Sequence, residues 1–167
     1  MKSTILFLVA LAAFAPSAGQ QQQNSRFGVI EIKDDDEDRL KHQLLLNGKE
    51  IFQYEGQSIE IANVLKGKDR DFLIVGTYSG GIACPVQFVI VEIHKSGVHK
   101  VSEHFGSCTE PTKVRFIDRV IIEMPAHIAH PDLLSKNELR RRKQTKEVYT
   151  WHLGKLTKRI VSRSNLR

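Results

Sequence analysis

Cys84 and Cys108 are the only two cysteines in a chain of 167 residues, and their chemistry depends on what stands near them. A structural zinc site needs four ligands, and neither cysteine has a close-spaced His or Cys to share one. An even pair in an oxidising compartment forms a disulfide instead. The flanking residues agree. Val86 to His94 is a run of strand formers, Lys95-Ser96-Gly97 supplies a three-residue hairpin loop, and a second strand follows from Val98 to Phe105. Centring that hairpin on Ser96 sets Glu92 opposite Lys100 as a cross-strand ion pair, and sets Cys84 opposite Cys108.

The histidines, at 42, 94, 99, 104, 127, 130 and 152, find no comparable partners. The same pairing puts His104 opposite Phe88 and His94 opposite Val98, so neither gains an acidic group to orient it. His127 and His130 are three apart, but Pro131 follows at once and makes that stretch a loop. The acidic block Asp34 to Asp38 opens like a calcium loop. Arg39 and Leu45, however, occupy the sixth and twelfth positions, where Gly and Glu are required, so the block reads as a solvated loop. Ser79-Gly80-Gly81 lacks the Gly-x-Ser-x-Gly elbow of a nucleophile, and no helix follows it to hold a phosphate. It reads as a tight corner beside the disulfide. The sequence therefore assigns no catalytic residue, no metal ligand and no cofactor, and it points away from an enzyme.

Arg140-Arg141-Arg142-Lys143 is the candidate partner-binding run, with Tyr149 and Trp151 on the strand that follows. A solvated helix end explains such charges equally well. As a docking patch they would suit an anionic partner: an acidic protein surface, an acidic polysaccharide or lipid headgroups. No aromatic residue interleaves with the basic ones, so nucleic acid is not expected. Tyr149 and Trp151, two apart, share one face of their strand. A core role for Trp151 is the first expectation there, and stacking on a ligand the second.

Strands must position these residues. Phe27 to Ile32 is the first. Gln43 to Leu46 and Glu50 to Tyr54 flank Asn47-Gly48, the strongest short hairpin signal. Ser58 to Leu65 and Asp71 to Tyr78 follow, the second apolar enough to be buried. Lys113 to Ile117 and Val120 to Met124 turn about Asp118-Arg119, and Val148 to Leu153 and Leu156 to Val161 turn about Gly154-Lys155. One helix is expected over 132–143, capped by Asp132. This pattern predicts an all-β fold: an antiparallel meander built as a sandwich, barrel or curved sheet, with one short helix.

The stretch Gly80 to Glu123 opens with Gly-Gly-x-x-Cys-Pro and contains Phe-Gly-x-Cys; LLLNGKEIFQYEGQSIEI and WHLGKLTKRI flank it. Together they resemble a group of short exported bacterial proteins of uncharacterised function. The resemblance implies an envelope or secreted protein whose two cysteines are a structural pair, and it brings no activity with it.

The N-terminus fits export. Lys2, the apolar run Ile5 to Phe14 and the small residues around Pro16 predict a secretory signal over residues 1–19. That run is too short to span a bilayer, which takes about twenty residues. No transmembrane segment is expected after its removal. A polar, disordered leader is expected over 20–26, one disulfide-closed domain over 27–161 and a loose tail over 162–167. The net charge is +6, unevenly placed: from Asp132 to Arg167 eleven basic residues stand against three acidic ones. The expectation is a periplasmic or secreted binding module, of inhibitor or immunity type, that meets an anionic macromolecule. A hydrolase of envelope polymers and an accessory subunit of an envelope assembly are the alternatives.

Overall fold

Ile30 and Ile32 are buried while Glu31 between them is half-buried, and this period of two recurs over Lys41–Leu46 and Val120–Pro125. The computed structural model describes residues 22–162 apart from 36, 82, 98, 129 and 130; the expected signal and the tail beyond Ser162 lie outside the described residues. The described strands form three four-stranded antiparallel meanders, taken in chain order. The first sheet holds β1 (Gln22–Ser25), β2 (Gly28–Asp34), β3 (Lys41–Leu46) and β4 (Lys49–Glu55). The second holds β5 (Ser58–Lys66), β6 (Arg70–Tyr78), β7 (Val86–His94) and β8 (His99–Val101). The third holds β9 (Lys113–Phe116), β10 (Val120–Pro125), β11 (Thr145–His152) and β12 (Lys155–Ser162). Helix α1 (Lys136–Lys143) precedes β11.

The second sheet carries a core on each face, which is why β6 and β7 are apolar almost without alternation. Leu73, Val75, Val89, Val91 and Ile93 pack with Ile30, Ile32, Leu44, Leu46 and Ile51 of the first sheet. The intervening residues, Phe72, Ile74, Phe88 and Ile90, pack with Val120, Ile122, Met124, Tyr149 and Trp151 of the third. The fold is thus the expected antiparallel meander, organised around a central sheet with two buried sides.

Two hairpins turn through two consecutive residues of positive φ. Asn47 (φ 52°) and Gly48 (φ 75°) form the expected Asn-Gly turn, and Gly28 sits so close to the Asn47 amide that a Cβ there would fall 2.2 Å from Asn47 Oδ1. The β11–β12 turn runs through Leu153 (φ 53°) and Gly154 (φ 79°), one residue earlier than expected. Cys84 and Cys108 are bridged, closing a span of 24 residues.

Five expectations need correction. Gln22–Ser25, read as part of a disordered leader, pairs along its length with β2; its ladder is made by backbone groups, and polar edge residues carry no hydrophobic period. The strand expected over Val98 to Phe105 ends at Val101, because Ser102 hydrogen-bonds Ile90 through both its backbone N–H and its hydroxyl. An extra residue then enters the ladder, and Phe105 rather than His104 faces Phe88. The register at Glu92 and Lys100 is as expected, but the ion pair is not: Glu92 is bound by Arg70, and the Lys100 side chain lies over Gly154. Finally, the helix starts at Lys136. Ser135 accepts the Glu138 N–H while the Glu138 carboxylate accepts from the Ser135 N–H at 3.0 Å, a capping box that leaves Asp132 in a preceding 3-10 turn.

Replacing Cys84 with Ser should lower stability by about 3 kcal/mol in the chain-entropy account of a loop this long, and leave Cys108 open to a thiol reagent. Two reactive thiols in the oxidised wild-type protein would contradict the bridge. Leu153→Asn should raise stability by about 1 kcal/mol, since Asn tolerates the left-handed conformation that Leu resists. Urea denaturation measures both.

Candidate functional site

One end of the central sheet gathers most of the chemistry. Asp71, the second residue of β6, is fully buried and faces the first sheet. Arg26, from the β1–β2 turn, binds it with its backbone N–H (2.9 Å), Nε (2.9 Å) and Nη2 (2.6 Å). The same guanidinium donates to the carbonyls of Gly67 and Arg70, so it also ties down the β5–β6 turn. Glu92 of β7 lies one row away on the opposite face, at 1% exposure. Arg70 Nη1 donates to its Oε1 at 2.7 Å, and Trp151 Nε1 of the third sheet donates to its Oε2 at 2.7 Å. His94 Nε2 stands 2.9 Å from Oε1, but outside a hydrogen-bonding direction. His94 therefore does have an acidic neighbour, on its own strand rather than across the hairpin.

Above Glu92 three turns converge: 67–69, 117–119 and 153–154. They enclose a cleft of about 320 Å³ whose lining includes Arg70, Phe116, Trp151 and His152. Arg119 donates Nε to Asp118 Oδ1 at 2.8 Å and Nη2 to Oδ2, and these bonds hold the Asp118 carboxyl down at about 2. Ile117 and Leu153 stand on the rim at 72% and 75% exposure.

The expected partner-binding residues divide. Arg140, Arg141, Arg142 and Lys143 are all exposed on α1, which buries no residue at all. Among the described residues their side chains form no ion pair or hydrogen bond. Lys136, Arg140 and Lys143, at helical spacing, fall on one face with Leu139 between them. The hydroxyl of Ser135 holds the Glu138 carboxyl below its usual range, so the one acid of the helix is engaged at its cap. Tyr149 and Trp151 do not join this surface. Each is 4% exposed, within the core between the second and third sheets. Trp151 is held by Glu92, and Tyr149 donates its hydroxyl to Glu147, which Lys158 Nζ pairs at 2.9 Å. Burial raises the Tyr149 phenol above its ordinary value. The core role for Trp151 holds, and neither ring offers a free face for stacking.

The remaining candidates are self-contained. Ser79 Oγ donates to the Cys84 carbonyl at 3.1 Å and accepts from the Gly81 N–H. Among the described residues no imidazole or carboxylate bonds to it. In the acidic block Asp35 accepts from the backbone of Glu37 and Asp38, which folds the loop on itself and lowers the Asp35 carboxyl. His104, displaced by the bulge, packs 5.8 Å from the Tyr54 ring, and partial burial lowers its pKa. One constellation was not anticipated. His42, buried on β3, places Nδ1 2.7 Å from Asp34 Oδ1 and Nε2 3.1 Å from the Gly56 carbonyl. Pairing β2 with β3 by residue would have found it, since Asp34 stands directly opposite His42. Among the described residues no group of three or more His, Cys, Asp or Glu side chains is placed to hold a metal.

Comparison of the chain with protein-family models, with curated proteins and with solved structures finds no match.

Glu92→Ala should cost about 3 kcal/mol, because it leaves the buried Trp151 N–H without its acceptor and Arg70 without its counter-ion. Thermal and urea unfolding would show it; an unchanged midpoint would mean the carboxylate is not part of the framework.

Proposed function

We propose that the protein is an exported binding module that docks α1 on an anionic macromolecule of the periplasm or the extracellular space. What supports this reading is the contrast between two sets of cations. Arg26, Arg70, Arg115 and Arg119 of the sheets and their turns each stand in an ion pair, and only Arg39 and Arg159 among the described arginines there do not. Arg140 to Lys143 form a consecutive cationic run that makes no ion pair among the described residues, with Glu138 the one acid near enough to feel Arg141 and Arg142, on a helix that contributes nothing to either core. The helix is nevertheless well specified, with a capping box at its start and the Gln144 N–H bonded to the Arg141 carbonyl at its end. A run of like charges held on an ordered helix raises the local concentration of an anionic partner and speeds encounter with it. Export, the compartment and the inhibitor-like character rest on the N-terminal sequence and the disulfide.

The test is a pull-down with the mature domain from envelope and secreted fractions at low and at high salt. It is run in parallel with a variant carrying Arg140→Gln, Arg141→Gln, Arg142→Gln and Lys143→Gln. The expected result is a partner retained by the wild type at low salt, released at high salt and missing from the variant. A partner held equally by both proteins would remove α1 from the account.

A further inference from the structure

The cleft above Glu92 rests on different residues from α1, and it has the composition of a small-ligand site. Its volume of about 320 Å³ falls within the range of pockets that take small molecules. Its charges balance: Lys68, Arg70 and Arg119 face Asp69, Glu92 and Asp118. Four of these six are locked in two oriented pairs. Arg70 is fixed by the buried Glu92, which Trp151 fixes in turn, and Arg119 and Asp118 form a two-point fork. Such a wall offers donors and acceptors side by side in set directions but no surplus charge, which favours a neutral, polyfunctional ligand over an ion.

The rim adds a second requirement. Ile117 and Leu153 project from adjacent turns into water, and Leu153 does so from a left-handed backbone position that suits Asn or Gly better than Leu. In the same chain the β3–β4 turn uses Asn-Gly at the equivalent place. An apolar side chain that strains its turn and gains no burial serves neither the turn nor the core, and such local violations mark functional positions. The ligand should therefore have apolar flanks as well as grouped polar groups. A pyranose ring has both: aliphatic C–H faces and an equator of vicinal hydroxyls that match the forks of carboxylates and guanidinium groups.

We propose that this cleft binds a neutral hexose unit of a glycan, with Ile117 and Leu153 against the ring faces, and with Arg70, held in place by the buried Glu92, and the Arg119–Asp118 pair directing its hydroxyls. Trp151 is the sole tryptophan of the chain, so its emission reports on the cleft without a label. The experiment titrates the mature protein with neutral tetrasaccharides of glucose, mannose, galactose and N-acetylglucosamine. Tetragalacturonate and a phosphoserine peptide serve as charged comparators. At least one neutral oligosaccharide should shift the emission saturably, and the charged probes should act more weakly. Leu153→Asn should reduce the affinity at least fivefold while raising the unfolding midpoint, opposite changes that a purely structural residue would not give. Asp69→Ala, at an exposed rim position free of ion pairs among the described residues, should also weaken binding. Three results would overturn the proposal: no saturable response to any neutral sugar, a stronger response to a charged probe, or a sugar response that Leu153→Asn leaves unchanged.

Discussion

Two carboxylates are buried at the same end of the central sheet, one on each face, and neither can stay there without partners from elsewhere in the chain. Asp71 takes its cation from the first sheet, through Arg26. Glu92 takes one donor from its own sheet, Arg70, and one from the third, Trp151. A buried charge that loses its partner is penalised by several kcal/mol, so each contact pins the layer that supplies it. The apolar cores supply most of the driving force for stacking three meanders, but hydrophobic contact is tolerant of sliding. The two anchored acids fix how the first and third sheets sit on the second.

This arrangement also explains where surface chemistry collects. Drawing Arg26 across to the β5–β6 turn and Trp151 down onto Glu92 brings the 67–69, 117–119 and 153–154 turns together, and the cleft is the space left between them. At α1 the situation is reversed. The helix has a defined start and end but no buried side chain, so its charges are free of the framework's demands. One set of charges serves the fold and the other faces water.

Much of the architecture is legible in the residues because short strands with tight turns leave local marks. Asn47-Gly48 fixes its hairpin, and the apolar runs in β6 and β7 already read as buried. The Cys84–Cys108 bridge is present, but the hairpin register expected to set the two opposite each other slips by one residue between them, so the pairing rests on there being two cysteines rather than on the ladder. What could not be read depends on contacts distant in sequence or on backbone alone. Gln22–Ser25 carries no apolar period, Arg26 and Asp71 are 45 residues apart, and Glu92 and Trp151 are 59 apart. The Ser135–Glu138 capping box was written in the sequence, but Asp132 after Pro131 offered a competing start. The run 140–143 was visible as charge. That Tyr149 and Trp151 turn away from it depends on which face of β11 meets the second sheet.

The central claim is that framework charges and α1 charges do separate work, and urea unfolding of two variants tests it. Arg26→Ala should lose about 3–5 kcal/mol, because Asp71 would remain buried without its cation. Changing Arg140 to Lys143 together to Gln should leave stability within about 0.5 kcal/mol of wild type. A helix variant that loses as much stability as Arg26→Ala, or an Arg26→Ala protein as stable as wild type, would contradict the account.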